Sequence, residues 1–177
     1  MQFPFYFSYL YAEPHKTRVK MTTKKIDISY REYASVEELD PQDRILVEAA
    51  RQAQKTAYAP YSRFHVGAAV LLENGEIVTG SNQENAASPS GLCAERTAMF
   101  AAGARYPGVP MVSLAIAGGP DYTVCDSPAT PCGACRQVMA EYQKVGGRPM
   151  SILLAGGKVI WKFDRVEDLL PFIFDSL

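Results

Sequence analysis

An α/β fold, with a mixed sheet of about five strands and helices on both faces, is predicted by three features of the sequence. Several short runs are almost purely apolar, as strands buried on both faces must be. Stretches of helical periodicity alternate with those runs. Glycine and proline pairs mark the joints between them.

Asp40-Pro41 reads as a helix start, with a carboxylate at the N-cap and proline at the first helical position. Ile45, Leu46, Ala49, Ala50 and Ala53 then recur at helical spacing until Pro60 ends the pattern. Residues 66–72 are nearly all apolar, Asn74-Gly75 signals a tight turn, and Ile77-Val78-Thr79 follows, which predicts two antiparallel strands. Residues 81–91 read as polar loop. From Leu92 the spacing of Cys93, Thr97, Ala98, Ala101 and Ala102 is helical until Gly103.

Residues 112–117 form a further buried strand that Gly118-Gly119-Pro120 terminates. After an irregular stretch, Pro131 opens a helix whose apolar face carries Val138, Met139 and Tyr142, and Gly146-Gly147 stops it. Residues 151–155 and 158–163 flank Gly156-Gly157 as a second strand-turn-strand unit.

A chain of 177 residues with 47% hydrophobic content fits one domain with a substantial core. Its net charge of -1 comes without a dense Lys/Arg stripe, which argues against phosphate neutralisation as a means of holding nucleic acid and favours a small-molecule partner. The opening residues 1–11 are strongly aromatic, but no basic residue precedes them, Pro4 breaks the run and no small-residue cleavage site follows. The segment is therefore expected to be neither a signal peptide nor a membrane span. Met21 begins a more ordinary polar sequence, so residues 1–20 are expected to be an upstream misassigned start of little functional weight. Residues 1–40 are read as an N-terminal extension and 41–177 as the functional domain. Four cysteines could frame disulfides in a secreted domain, but without a secretory segment a reduced, cytoplasmic setting is expected.

The chemistry is concentrated in Cys93-Ala94-Glu95 and Pro131-Cys132-Gly133-Ala134-Cys135. Cys93, Cys132 and Cys135 supply three thiol ligands, and three protein ligands suit a zinc ion that keeps its fourth position for water. A closed structural site would take a fourth Cys or His. Glu95, two residues beyond the first thiol, is placed to move the water's proton. This is the known arrangement of zinc deaminases, in which the glutamate is not itself a ligand. Both cysteine segments open predicted helices, where free N–H groups and the helix dipole favour thiolate. Three thiolates on one zinc ion leave excess negative charge, which Arg96 is placed to offset from just outside the ligand set.

Other assignments stay open at this point. Cys132 and Cys135 could be a redox pair, Cys125 a fourth ligand, His65 a ligand rather than a polar edge residue, Arg96 a surface ion-pair partner, and Glu95 an ordinary first-turn acid.

From about Leu46 onward the chain resembles the cytidine deaminase family in its short-chain homotetrameric form. The matching segments are Tyr58-Ala59-Pro60-Tyr61-Ser62-Arg63-Phe64-His65-Val66-Gly67-Ala68-Ala69, Asn82-Gln83-Glu84-Asn85-Ala86, Cys93-Ala94-Glu95-Arg96-Thr97-Ala98 and Pro131-Cys132-Gly133-Ala134-Cys135-Arg136-Gln137-Val138. The resemblance implies the family's three-layer fold, one Zn2+ per chain, and hydrolysis of cytidine and 2'-deoxycytidine to the uridine products and ammonia. It further implies that Asn82 and Glu84 grip the ribose hydroxyls, that Phe64 covers the pyrimidine, and that Ala94 contributes backbone contacts to the base. An amide with a carboxylate suits hydroxyls, and an aromatic ring suits an apolar pyrimidine face.

Leu169-Leu170-Pro171-Phe172-Ile173-Phe174 resembles the family's C-terminal segment, whose aromatic, here Phe174, enters a neighbouring subunit's pocket. Ser88-Pro89 departs from the pattern, where the family usually has Tyr. A blasticidin-S-type deaminase shares the cysteine segments but is disfavoured by the ribose-gripping segment. A noncatalytic zinc-stabilised binding module is the alternative from another class, and neutral charge argues against it.

Overall fold

The computed structural model describes residues 21–175, and the reading of residues 1–20 lies outside them. Six strands form one sheet in the order β1-β6-β5-β4-β2-β3: β1 (Arg31–Tyr33), β2 (Phe64–Leu72), β3 (Ile77–Ser81), β4 (Met111–Pro120), β5 (Ser151–Ala155) and β6 (Ile160–Phe163). Three helices, α1 (Pro41–Ala53), α2 (Ala94–Arg105) and α3 (Gly133–Gly146), complete it. Only β4 and β5 run parallel, with Ile116 opposite Leu154, and α3 supplies their crossover. The expected strands are all present. β1, which pairs antiparallel with β6 through Glu32 opposite Trp161, is the sixth strand that the sequence reading did not anticipate.

The central strands are buried on both faces, which explains their unbroken apolar runs. Ala69 and Leu71 of β2 face α1 with Ala115, Ala117 and Leu153, and Leu46, Val47 and Ala50 cover them. On the other face Ala68, Val70, Leu72, Leu114, Ile116, Ile152 and Leu154 pack beneath Ala98, Met99, Ala102, Cys135 and Met139 of α2 and α3. The apolar face of α1 is thus rotated from the expected one. Val47 is buried, while Ile45 is 60% exposed.

Gly103 does not end α2, which continues to Arg105. A Cβ at Gly103 would meet the Tyr142 ring at 3.0 Å, so the glycine serves close packing of α2 on α3. Gly147 does end α3, in the left-handed conformation at φ 64 that favours glycine.

Candidate active site

Both cysteine segments enter their helices as N-caps, Cys93 for α2 and Cys132 for α3, with extended backbone and no side-chain capping bond. Their thiols are therefore free to turn toward one another. Cys93 Sγ lies 3.8 Å from Cys132 Sγ, which lies 3.5 Å from Cys135 Sγ. All three sulfurs fall within 4.8 Å of one another, and neither Cys125 nor His65 belongs to the group. A zinc ion with Zn–S bonds of about 2.3 Å in tetrahedral geometry requires sulfurs about 3.8 Å apart. The donor set therefore fits zinc with one position left over. Two helix N-termini and Arg96, whose Nη2 is 3.8 Å from Cys93 Sγ, bring positive charge to the thiols.

Protons compete strongly within this cluster. A hydrogen bond from Cys135, with help from Arg96 and Cys132, holds the Cys93 thiol down to about 5 against the effect of burial. The same bond to Cys93, together with burial, pushes Cys135 far up. Zinc would replace that shared proton, since thiol ligands bind the metal as thiolates.

Glu95 sits in the first turn of α2 and is only 4% exposed. Burial raises its carboxyl above the ordinary range, and the neighbouring Cys93 charge adds to the shift. A glutamate so placed exchanges protons nearer neutrality than a solvated one. Ala94 beside it is fully buried.

A cavity of about 400 Å³ opens in front of Cys93 and Arg96, and Asn82, Glu84 and Ser88 lie on its wall. Glu84 accepts the backbone N–H groups of Tyr61 and Ser62 at 2.9 and 3.2 Å through one oxygen. The Ser62 hydrogen bond, ahead of these backbone bonds, holds its carboxyl below the ordinary range. Asn82 is more committed than its sequence suggested. Its Oδ1 accepts Val66 N–H at 2.8 Å and its Nδ2 donates to Phe64 O at 2.8 Å, so it also fixes the start of β2.

Phe64 is half-buried on the α2/α3 face, in line with Val66 and Ala68, and its ring would meet a Cβ on Gly118 at 3.4 Å. It does not line the cavity. Tyr61 does, a residue the sequence reading did not single out although it stands inside the matched Tyr58 to Ala69 segment.

One position differs from expectation. His65 is no polar edge residue: β2 is an inner strand, and His65 is buried on the α1 face, with Tyr122 stacked on it at 3.7 Å between ring centroids. Phe174 stands apart from the cavity, 64% exposed, with its backbone held on α3 by Gln137.

A mixed sheet between helical layers, with three thiols and a buried glutamate at two facing helix starts, defines a zinc-dependent hydrolase of the deaminase class. Residues 40–146 match the cytidine and deoxycytidylate deaminase zinc-binding region, and the chain belongs to this family. A cytidine deaminase from Sporosarcina psychrophila is 39% identical over 134 residues, covering 74% of this chain and 90% of its own. One from Halalkalibacterium halodurans is 47% identical over 103 residues, 55% of this chain and 70% of its own. Among solved structures, cytidine deaminase from Burkholderia pseudomallei superposes with a TM-score of 0.62 at 40% identity, over 73% of this chain and 97% of that one. The Mycobacterium tuberculosis enzyme gives 0.60 at 36% identity, over 78% of this chain and 100% of that one.

Proposed function

We propose that the chain hydrolyses the 4-amino group of cytidine and 2'-deoxycytidine, giving uridine, 2'-deoxyuridine and ammonia, in pyrimidine salvage in the cytoplasm. The observation that carries this reading is the trio of sulfurs at zinc-compatible spacing beside a buried glutamate. Cys93, Cys132 and Cys135 hold one Zn2+ per chain, which supplies the Lewis acidity that makes water nucleophilic at neutral pH. Glu95 takes the attacking water's first proton on its carboxylate and delivers it to N3 of the pyrimidine. It then takes the second proton from the new C4 hydroxyl and passes it to the amine, which leaves as ammonia as the C4–N bond breaks and the C4 carbonyl forms. Arg96 offsets the negative charge of the thiolates.

Glu84 and Asn82 bind the ribose hydroxyls from the cavity wall, Ala94 presents its backbone to the base, and Phe64, which does not line the cavity but is tied to Asn82 through its carbonyl, turns toward the pyrimidine to cover its face. Phe174 serves a neighbouring chain's cavity in a homotetramer, which agrees with its distance from its own. The catalytic domain is residues 41–177, to which the preceding segment adds β1 as an edge strand paired with β6. No described helix is long and apolar enough to cross a membrane.

An ultraviolet assay of cytidine, 2'-deoxycytidine, cytosine, deoxycytidylate and blasticidin S, with metal content measured on the same sample, tests this assignment. Turnover of the two nucleosides above the rest is expected. Turnover of blasticidin S alone, or none with zinc bound, would contradict it.

A further inference from the structure

The first turn of α3 carries two side chains that neither metal binding nor substrate binding uses. Arg136 Nε donates to Pro131 O at 3.0 Å, the carbonyl just before Cys132, and its Nη1 donates to Leu169 O at 2.8 Å. Gln137 Nε2 donates to Phe174 O at 2.7 Å, and Gln137 Oε1 accepts Phe174 N–H at 3.3 Å. Consecutive residues of α3 thus hold both ends of the segment from Leu169 to Phe174.

Pro131 and Leu169 are buried residues and the hydrogen bonds to their carbonyls are partly buried, where an unpaired backbone group is costly. A guanidinium satisfies both through fixed, charge-assisted bonds, whereas a lysine ammonium is a point charge on a flexible stem. Leu169 also packs in the same core as Cys135 and Met139.

We propose that Arg136 is a positioning residue that fastens the Cys132 loop to the C-terminal segment, so that metal retention and order in that segment rise and fall together. The coupling is reciprocal: whatever fixes one side favours the other. This inference rests on the reading that the three thiols hold zinc. Arg136 touches no sulfur in the cluster, so its effect passes through the position of Pro131 and Cys132.

The test compares the zinc-loaded full chain with Arg136→Met and Arg136→Lys. Two quantities are read: zinc release to an excess of a chromophoric chelator, and deuterium exchange at the amides of residues 169–174. Exchange in β4 serves as the control for global loosening. Arg136→Met loses both bonds; it is expected to release zinc about 10-fold faster, the effect of losing the charged bond on the Pro131 side, and to exchange faster at 169–174 with β4 unchanged. Arg136→Lys should recover part of both effects, and it carries the comparison alone if Arg136→Met does not fold. Stripping zinc from the unaltered chain should itself speed exchange at 169–174.

Unchanged zinc release in the variant, or acceleration that includes β4 equally, would overturn the proposal. An unaltered chain that held no zinc would instead sink the metal reading. Exchange at 169–174 in Arg136→Met would then still decide whether Arg136 is the fastener.

Discussion

Gly80 of β3 lies directly beneath Ala98 in the second turn of α2: a Cβ on Gly80 would overlap Ala98 N and stand 2.9 Å from both Ala98 Cα and Ala94 O. The contact sets how closely the start of α2 approaches the sheet. It thereby sets where Cys93 and Glu95 stand relative to the Cys132 loop. Gly80→Val must push the helix away, and overpacking of this kind costs about 1–3 kcal/mol. We expect a lower melting temperature together with zinc content below that of the unaltered chain. An unchanged melt with full zinc would show that α2 is positioned by something else.

Cys132→Ala removes a ligand that joins two helix starts, so zinc and turnover should both be lost, with poor folding. Cys125→Ser should keep both, because Cys125 stands outside the sulfur cluster. Metal analysis of the two variants separates these outcomes, and tight zinc binding by Cys132→Ala would require a different ligand set.

Truncation before Phe174 removes an exposed aromatic that does not line its own cavity. If a neighbouring chain uses it, the Michaelis constant should rise more than zinc content falls. Light scattering of the intact protein should give a closed homotetramer. A fully active monomer would refute the shared pocket while leaving the thiols and Glu95 as they are.

Removal of residues 1–20 is expected to leave specific activity unchanged, since the segment lies outside the family resemblance and carries no site chemistry. A clear loss on removal would mean that its aromatic residues pack on the core or on an interface.

Motifs with local chemistry were legible in the sequence. Cys132 with Cys135, Cys93 with Glu95, and the placing of each segment at a helix start depend on short spacing; the meeting of the two segments across 39 positions followed from the ligand count a zinc ion needs, and the structure brings them together. Features decided by distant contacts were not legible. β1 is three residues of mostly exposed pattern, and its pairing depends on β6 more than a hundred positions later. Gly103 looked like a helix stop because its partner, Tyr142, comes from another helix. The face of α1 was misplaced because Ile45 and Val47 are equally apolar, and only the packed sheet decides between them. Asn82 shows the same limit at the site. Its type suggested hydroxyl binding, but its bonds to Phe64 and Val66 are invisible until β2 and the end of β3 are side by side.

If Glu95 moves protons beside a zinc ion that it does not bind, zinc content and turnover can be separated by changing Glu95 alone. Zinc content and cytidine turnover measured on the same preparations of the unaltered chain and Glu95→Gln test this role most directly. The account predicts about one zinc per chain in both and a loss of turnover of at least ~10²-fold in the variant. Turnover retained by Glu95→Gln at full zinc occupancy would contradict it.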